Sequence, residues 1–438
     1  MDQPEQSNRA AGTVTRVEAL SYRSLRYVSQ PLLPFQVLVG PNASGKSTFL
    51  DVIAFLGDLM LAGVEGAIQG DARFAIPPRA PDGAHLVWMR QGGRFELAIE
   101  LAIPPVRAAR LENGHTERCR YEIAIDVRGP LRLTAETLWL KPAETRRDLN
   151  RSQIQLFPNP LPPTDTLVVM PGQHAPPGWR RVLSRGAEAE NVSFRSETGR
   201  WRNPFRLGSD KAALMSLPAD EERFPVATWF RQTLLEGVQR IALSSDAMRR
   251  PSPPGRVRAF LPDGSNLPWV VHELEQENPQ RLAEWTGHLR EALPDLRRIS
   301  TRERADDRHR YLVLEYANGL EAPSWLVSDG TLRLLALTLL AYLPELSGIY
   351  LVEEPENGIH PRAVETVFQS LSSVYGAQIL LATHSPVVLG MAEPAQLLCF
   401  ARTAEGATDI VRGDQHPRLK AWKGAIDLGT LFATGVLG

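Results

Sequence analysis

The chain has 438 residues, 43% of them hydrophobic and 23% charged, an ordinary globular balance with room for two or three domains, and this excludes disordered and fibrous classes. A formal net charge of -1 excludes a polycation built to coat nucleic acid and leaves that role to local basic clusters. The two cysteines, Cys119 and Cys399, lie too far apart for a CxxC hook or a zinc pair, so a reducing cytoplasm is expected.

Residues 1–13 form a polar lead without the apolar h-region of a signal peptide. Short alternating runs, "VTRVEAL" and "FQVLVG", then predict strands, and "STFLDVIAFLGDLML" carries apolar residues at helical spacing. Residues 14–105 are therefore expected to form the first part of an α/β head. Beyond it prolines cluster ("FPNPLPPTD", "HAPPGWRR", "RRPSPPGR") among strand-like pieces such as "RYEIAIDV" and "LRLTAETLWL". That pattern predicts an inserted, irregular, Pro/Arg-rich lobe over 106–265, with a helix in "FPVATWFRQTLLEGVQRIAL".

A helical connection is expected over 266–310, from "LAEWTGHLREALPDL". Residues 311–402 return to an α/β rhythm: strands in "RYLVLEY", "GIYLVEE", "QILLATH" and "AQLLCFAR", with helices in "GTLRLLALTLLAYL" and "PRAVETVFQSLSSVY". This order predicts a mainly parallel sheet, with an antiparallel β lobe and an inserted α+β lid region beside it. The run "LLALTLLAYL" is about half the ~20 residues a membrane span needs, so a buried helix and no membrane association are expected. Residues 403–438 read as a tail whose end, "AWKGAIDLGTLFATGVLG", suits docking and carries no recognisable chemistry.

The strand-to-helix loop Gly40, Pro41, Asn42, Ala43, Ser44, Gly45, Lys46, Ser47, Thr48 matches GxxxxGK[ST] in the strand–loop–helix context that pattern requires. Its N–H groups can cradle phosphates, Lys46 can reach the β/γ oxygens, and Ser47 can ligate Mg²⁺, so ATP and Mg²⁺ are the expected ligands. In "IYLVEEPENGIHP" a buried strand ends in Glu353 and Glu354. One acid can hold the metal and the next can orient an attacking water. His384, closing the apolar strand of "LLATHSP", can hydrogen-bond the γ-phosphate or the water.

The phosphate loop, "VSDGTLR", "EEPENGIHP" and "THSP", in this order, resemble ATP-binding-cassette ATPases of the SMC, RecF and OLD type, in particular stand-alone prokaryotic AAA-like ATPases with an "SDGT" signature. The resemblance covers roughly 14–60 and 310–402. It implies an ATPase (ATP and water to ADP and phosphate) in which two heads sandwich two ATP molecules, so that Ser328, Asp329 and Gly330 of one head face the phosphate loop of the other. Ser328 or Asp329 would equally cap the helix that follows. Asn357 falls where the family's D-loop crosses the dimer interface. Where the family has Asp then Glu, this chain has Glu353 then Glu354, which predicts slow hydrolysis.

The resemblance also implies a glutamine that senses Mg²⁺: Gln91 in "WMRQGGRFEL" is the candidate, Gln69 the rival, and a plain turn an equal alternative. Arg23 or Tyr22 in "SYRSL" could contact adenine. The family implies a clamp or sensor that dimerises on ATP, in prokaryotic DNA maintenance or anti-phage defence, beside a separately encoded effector such as a nuclease. Double-stranded DNA is a further expected partner, gripped by arginines in 247–258 or 296–310, unless neighbouring acids such as Glu303, Asp306 and Asp307 neutralise them. An OLD-like ATPase-nuclease is the alternative, but only residues 385–438 follow His384, too few for a Toprim nuclease domain. A transporter ATPase is disfavoured by the signature and by the middle lobe.

Overall fold

The computed structural model describes residues 12–111, 116–142, 157–169, 175–186, 190–255 and 259–417. They form two compact units. The first comprises the described residues up to Val238 together with 394–417, and the second comprises the described residues of Gln239–Glu393.

In the first unit the alternating runs of the N-terminal region become β1 (Val14–Tyr22), β2 (Leu25–Pro31) and β3 (Phe35–Val39). They are followed by β4 (Arg94–Ala102), β5 (Thr116–Asp126), β6 (Arg132–Pro142), β7 (Arg180–Arg185), β8 (Asn191–Arg195) and β9 (Arg202–Arg206). Eight of these strands make one antiparallel sheet in the order β2-β1-β4-β5-β6-β7-β8-β9. The boundary expected at 105/106 therefore falls inside a continuous ladder, where Leu101 of β4 pairs with Cys119 of β5. The proline-rich stretches interrupt the chain between strands, and β5 to β9 extend the same sheet.

This sheet buries charge as well as hydrocarbon. Arg120 on β5 reaches Glu18, Glu100 at 3.1 Å and Glu122 at 2.6 Å, and Lys141 on β6 reaches Glu100 at 2.7 Å. Charges held this far from water persist only when paired and hydrogen-bonded, and here each has a partner. They lie among apolar residues that are buried along most of β5 and β6.

The remaining strands of the first unit place the phosphate loop. β3 runs parallel to β16 (Leu397–Arg402), with Leu38 opposite Leu398, and β16 pairs antiparallel with β17 (Thr408–Arg412). Residues 408–412 thus belong to the sheet rather than to a tail. The closing segment "AWKGAIDLGTLFATGVLG" lies outside the described residues, as does the lead up to residue 11. The helix Lys46–Gln69 follows the loop and is long and apolar enough to cross a membrane, a length the sequence reading assigned to no segment. Its faces are spent inside the unit: Phe49, Val52, Ile53, Phe55 and Leu56 are fully or almost fully buried, and the Phe49 ring meets Phe400 edge-on at 5.6 Å.

The helix expected in "FPVATWFRQTLLEGVQRIAL" stops at Glu236, because Gly237 caps it and the β-branched residues beyond form β10 (Val238–Ile241). At its N-terminus the buried Glu197 carboxylate accepts the Val226 and Ala227 backbone N–H groups, both at 2.7 Å. Burial pushes this carboxyl up to about 7, against the pull of those two donors. The unfolded chain loses the proton near 4.5, so between about 4.5 and 7 the native state holds a proton that the unfolded state has lost. Native stability is therefore expected to fall as pH rises through that window. In urea titrations at pH 5 and pH 8, Glu197→Gln should flatten this dependence by roughly 2–3 kcal/mol; an identical pH dependence in variant and wild type would refute the assignment.

The second unit pairs β14 (Ile349–Glu353) in parallel with β15 (Gln378–Ala382) and sets β10 on the outer side of β14. A separate antiparallel sheet holds β11 (Leu296–Glu303), β12 (Arg310–Tyr316) and β13 (Glu321–Pro323). The expected connection over 266–310 is helical only through Leu289; its second half is β11. On this sheet the arginine-rich run is largely neutralised. Arg302 reaches Glu321 at 2.6 Å, Arg304 reaches Asp306 at 3.1 Å, and Arg308 and Arg310 both reach Glu303, at 3.3 and 2.9 Å. Self-pairing of this kind weakens the reading of 296–310 as a phosphate grip.

Candidate functional site

The phosphate loop in the first unit is shaped by its two glycines. Gly40 and Gly45 have φ of 150° and 104°, which favour glycine, and a Cβ on either would come within 2.3 Å of an oxygen, Phe400 O and Thr408 Oγ1 respectively. The Thr408 hydroxyl donates to Ser44 O at 2.9 Å, so β17 buttresses the loop from behind. Lys46 is buried at 7% exposure, and its ammonium donates to Gly40 O at 2.8 Å and Pro41 O at 3.0 Å, which curls the chain around the space its backbone encloses. Pro41, Asn42, Ala43 and Ser47 lie on the surface, and Thr48 is half-buried. A loop whose glycines leave no room for a side chain, leading into a helix that runs unbroken from Lys46 to a kink at Gly63, fits a phosphate chain by its N–H groups and the positive end of that helix.

Of the adenine candidates, Tyr22 is a core residue. It is fully buried, its ring packs on Phe55 and Phe95, and its hydroxyl donates to Asp51 at 2.7 Å. This corrects the expectation for Tyr22. Arg23, at the surface beside it, reaches Asp51 at 3.3 Å. Gln91 is exposed in the short segment before β4, and Gln69 is exposed at the last turn of the loop helix.

The second unit brings three sequence motifs together, "VSDGTLR", "EEPENGIHP" and "THSP". Glu353 ends β14, and its carboxylate accepts from Arg240 of β10 at 3.1 Å. Glu354 turns the chain away with φ of 47°, while its backbone N–H still donates to Ala382 O of β15 at 2.7 Å. That turn swings the Glu354 side chain outward from a buried strand. Its carboxylate lies 3.9 Å from His384 Nε2 and accepts from Asn357 Nδ2. The two strand ends therefore present an acid and an imidazole side by side, in the arrangement expected of a group that handles a water proton.

Ser328 begins the helix Asp329–Leu339 as its N-cap, its hydroxyl accepting the Thr331 N–H at 3.2 Å. Ser328 and Asp329 are exposed. Arg249 donates to Val327 O and pairs with Asp329, which holds the turn before the helix. A Cβ on Gly330 would meet Gly358 O at 2.4 Å, so the first turn of this helix rests on the loop that leaves Glu354. Glu356, Gly358 and Arg240 were not singled out in the sequence, and Arg249 was read only as one of the basic residues of 247–258. Glu356 left a trace there, as the third acid of "EEPE".

No curated protein sequence matches the chain. A family model described as "AAA domain, putative AbiEii toxin, Type IV TA system" matches residues 35–100 and 182–390. Among solved structures, a crystal structure of the SmcHead bound to the C-winged helix domain of ScpA superposes with a TM-score of 0.52 at 12% identity, covering 91% of this chain and 97% of that one. The Smc head domain with an extended coiled coil bound to the C-terminal domain of ScpA, from Pyrococcus furiosus, gives 0.48 at 11% identity, covering 91% and 95%.

Proposed function

Because this chain belongs to the AAA-domain family and has the fold of an SMC-type ATPase head, we propose that it hydrolyses ATP with its own Glu354 and His384, closes into a homodimer on ATP, and works as a clamp or sensor. The observation that carries this reading is the pairing of Glu354 and His384 at adjacent strand ends, 3.9 Å apart, on a loop that also supports the signature helix.

In this reading the N–H groups of loop 40–45 and the Lys46 ammonium bind the phosphates. Ser47 and Glu353 supply oxygens to Mg²⁺, a hard cation that takes one or two protein ligands and leaves the rest to water and phosphate. Ser47 and Glu353 would hold the ion, whose chemistry there is to supply positive charge against that developing on the phosphates. Glu353 must then loosen its contact with Arg240, a second reason, after its extra methylene, to expect slow turnover. Glu354 accepts a proton from the attacking water, and His384 holds the γ-phosphate side. We assign metal sensing to Gln91.

The exposed Ser328 and Asp329, at a helix N-terminus, suit an anion carried by a second copy. Anti-phage defence or DNA maintenance, in the cytoplasm and with a separately encoded effector, is the setting we infer. The free, buried thiols of Cys119 and Cys399 agree with a reducing compartment. Double-stranded DNA is proposed as a partner of the closed dimer.

Light scattering of Glu354→Gln tests this directly. ATP-Mg²⁺ should double the mass, and Ser328→Arg should abolish the doubling; an unchanged mass would sink the sandwich. The trapped dimer should also bind duplex DNA at about 50 mM salt and lose most of that binding by about 300 mM. Binding that ignores salt, or none at all, removes DNA from the proposal.

A further inference from the structure

We propose that Glu356 is a positioning residue for hydrolysis: it holds the backbone turn that carries His384 against Glu354. This rests on the ATPase reading above and adds a residue to it. Glu356 Oε1 accepts the Thr383 hydroxyl at 2.7 Å and the His384 backbone N–H at 2.8 Å. The Thr383 hydroxyl oxygen in turn accepts the Ser385 N–H at 2.9 Å, and Ser385 caps the helix Pro386–Met391. One carboxylate oxygen thus fixes the residue before the histidine, the histidine's own N–H, and through Thr383 the residue after it.

The same loop is tied at three other points. Glu354 N–H donates to Ala382 O, Asn357 N–H donates to Glu354 O at 3.0 Å, and Gly358 O carries Gly330 of the signature helix. Glu356 sits midway between the acid and that contact. A shift of the signature helix against Gly358 would therefore pass through Glu356 to the orientation of the His384 ring, which would couple a second copy's approach to the catalytic pair. Charge-assisted bonds to a backbone N–H and a hydroxyl are strong enough to hold such a turn. Glu356 bonds the His384 backbone N–H and the Thr383 hydroxyl, so its effect runs through the position of His384.

Steady-state ATPase measurements on Glu356→Ala, Glu356→Gln, His384→Ala and the Glu356→Ala/His384→Ala double variant test the proposal. Glu356→Ala should lower kcat about tenfold with KM for ATP within about twofold, and Glu356→Gln, whose amide oxygen can still accept both bonds, should recover most of the rate. In the His384→Ala background the Glu356→Ala change should cost less than about twofold, because the group it positions is already gone. Additive losses in the double variant, or failure of Gln to rescue a folded protein, would overturn the assignment. Should Glu356→Ala unfold, the Gln variant and the wild-type pH profile decide: Gln must keep the wild-type profile, and a shifted profile counts against the proposal. If wild type itself hydrolyses no ATP while Glu356→Ala is folded, it is the ATPase reading that fails.

Discussion

Lys46→Ala is expected to weaken ATP binding about 10–100-fold and to abolish measurable hydrolysis, while leaving the fold intact. The ammonium is the one cation inside the phosphate loop, buried at 7% exposure and held by two carbonyl oxygens of the same loop. A charge-assisted bond from such a group to phosphate is worth about 1.5–3 kcal/mol, which sets the affinity loss. The loss in rate should be larger, because charge on the transferring phosphoryl group grows toward the transition state. Truncation removes hydrogen bonds to loop carbonyls, those of Gly40 and Pro41 among them, and leaves the loop's backbone and its glycine geometry in place. Fluorescent-nucleotide titration, a phosphate-release assay and a thermal melt check the three parts. A variant that melts normally and turns over ATP at the wild-type rate would show that the loop does not serve as the ATP cradle.

Glu136→Ala should produce the largest loss of stability, about 3–5 kcal/mol for the first unit. Its carboxylate is fully buried in the eight-stranded sheet. It accepts the Tyr121 hydroxyl at 2.9 Å and the Ala213 and Leu214 N–H groups at 2.7 and 2.9 Å, and it faces Arg185 Nε at 3.4 Å. Arg185 is itself at 0% exposure. Alanine would take the carboxylate from that guanidinium and strand three polar donors in the interior, while the carbonyls of Leu207, Gly208 and Lys211 stay with the arginine. Glu136→Gln keeps the volume and an acceptor and should cost roughly half as much. Denaturant unfolding followed by tryptophan fluorescence reads both, since Trp139 lies on the same strand. A loss below about 1 kcal/mol for the alanine variant would show that the cluster relaxes or is hydrated.

Much of the site could be read from the chain because its chemistry is local. A phosphate loop needs glycines at fixed offsets, one lysine and one hydroxyl between a strand and a helix, and all of these lie within residues 35–69. The apolar run before Glu353 likewise announced a buried strand ending in acid, and β14 is that strand. Local order also decided most strands of the first unit, where alternation survives burial because the polar positions are glutamates and arginines that pair with each other.

Other features depend on residues far apart in sequence. Tyr22 sat beside an arginine like a nucleotide contact, yet Asp51 and two phenylalanines claim it for the core. In the arginine run at 296–310 the neighbouring acids Glu303, Asp306 and Asp307 were legible as its partners, but Glu321, which the β12–β13 pairing sets against Arg302, was not. Proline-rich spacing suggested an insertion, but ladder hydrogen bonds between strands, invisible in composition, join β4 to β5 and carry the sheet on to β9. Glu356 gained its role only when β14 and β15 paired in parallel and brought residue 356 beside 383 and 384. Short-range chemistry thus names the candidate groups from the sequence alone. Which polar side chains are spent on one another, and which are left to act, is decided by packing across long separations, because a buried charge must find its partner wherever the fold places it.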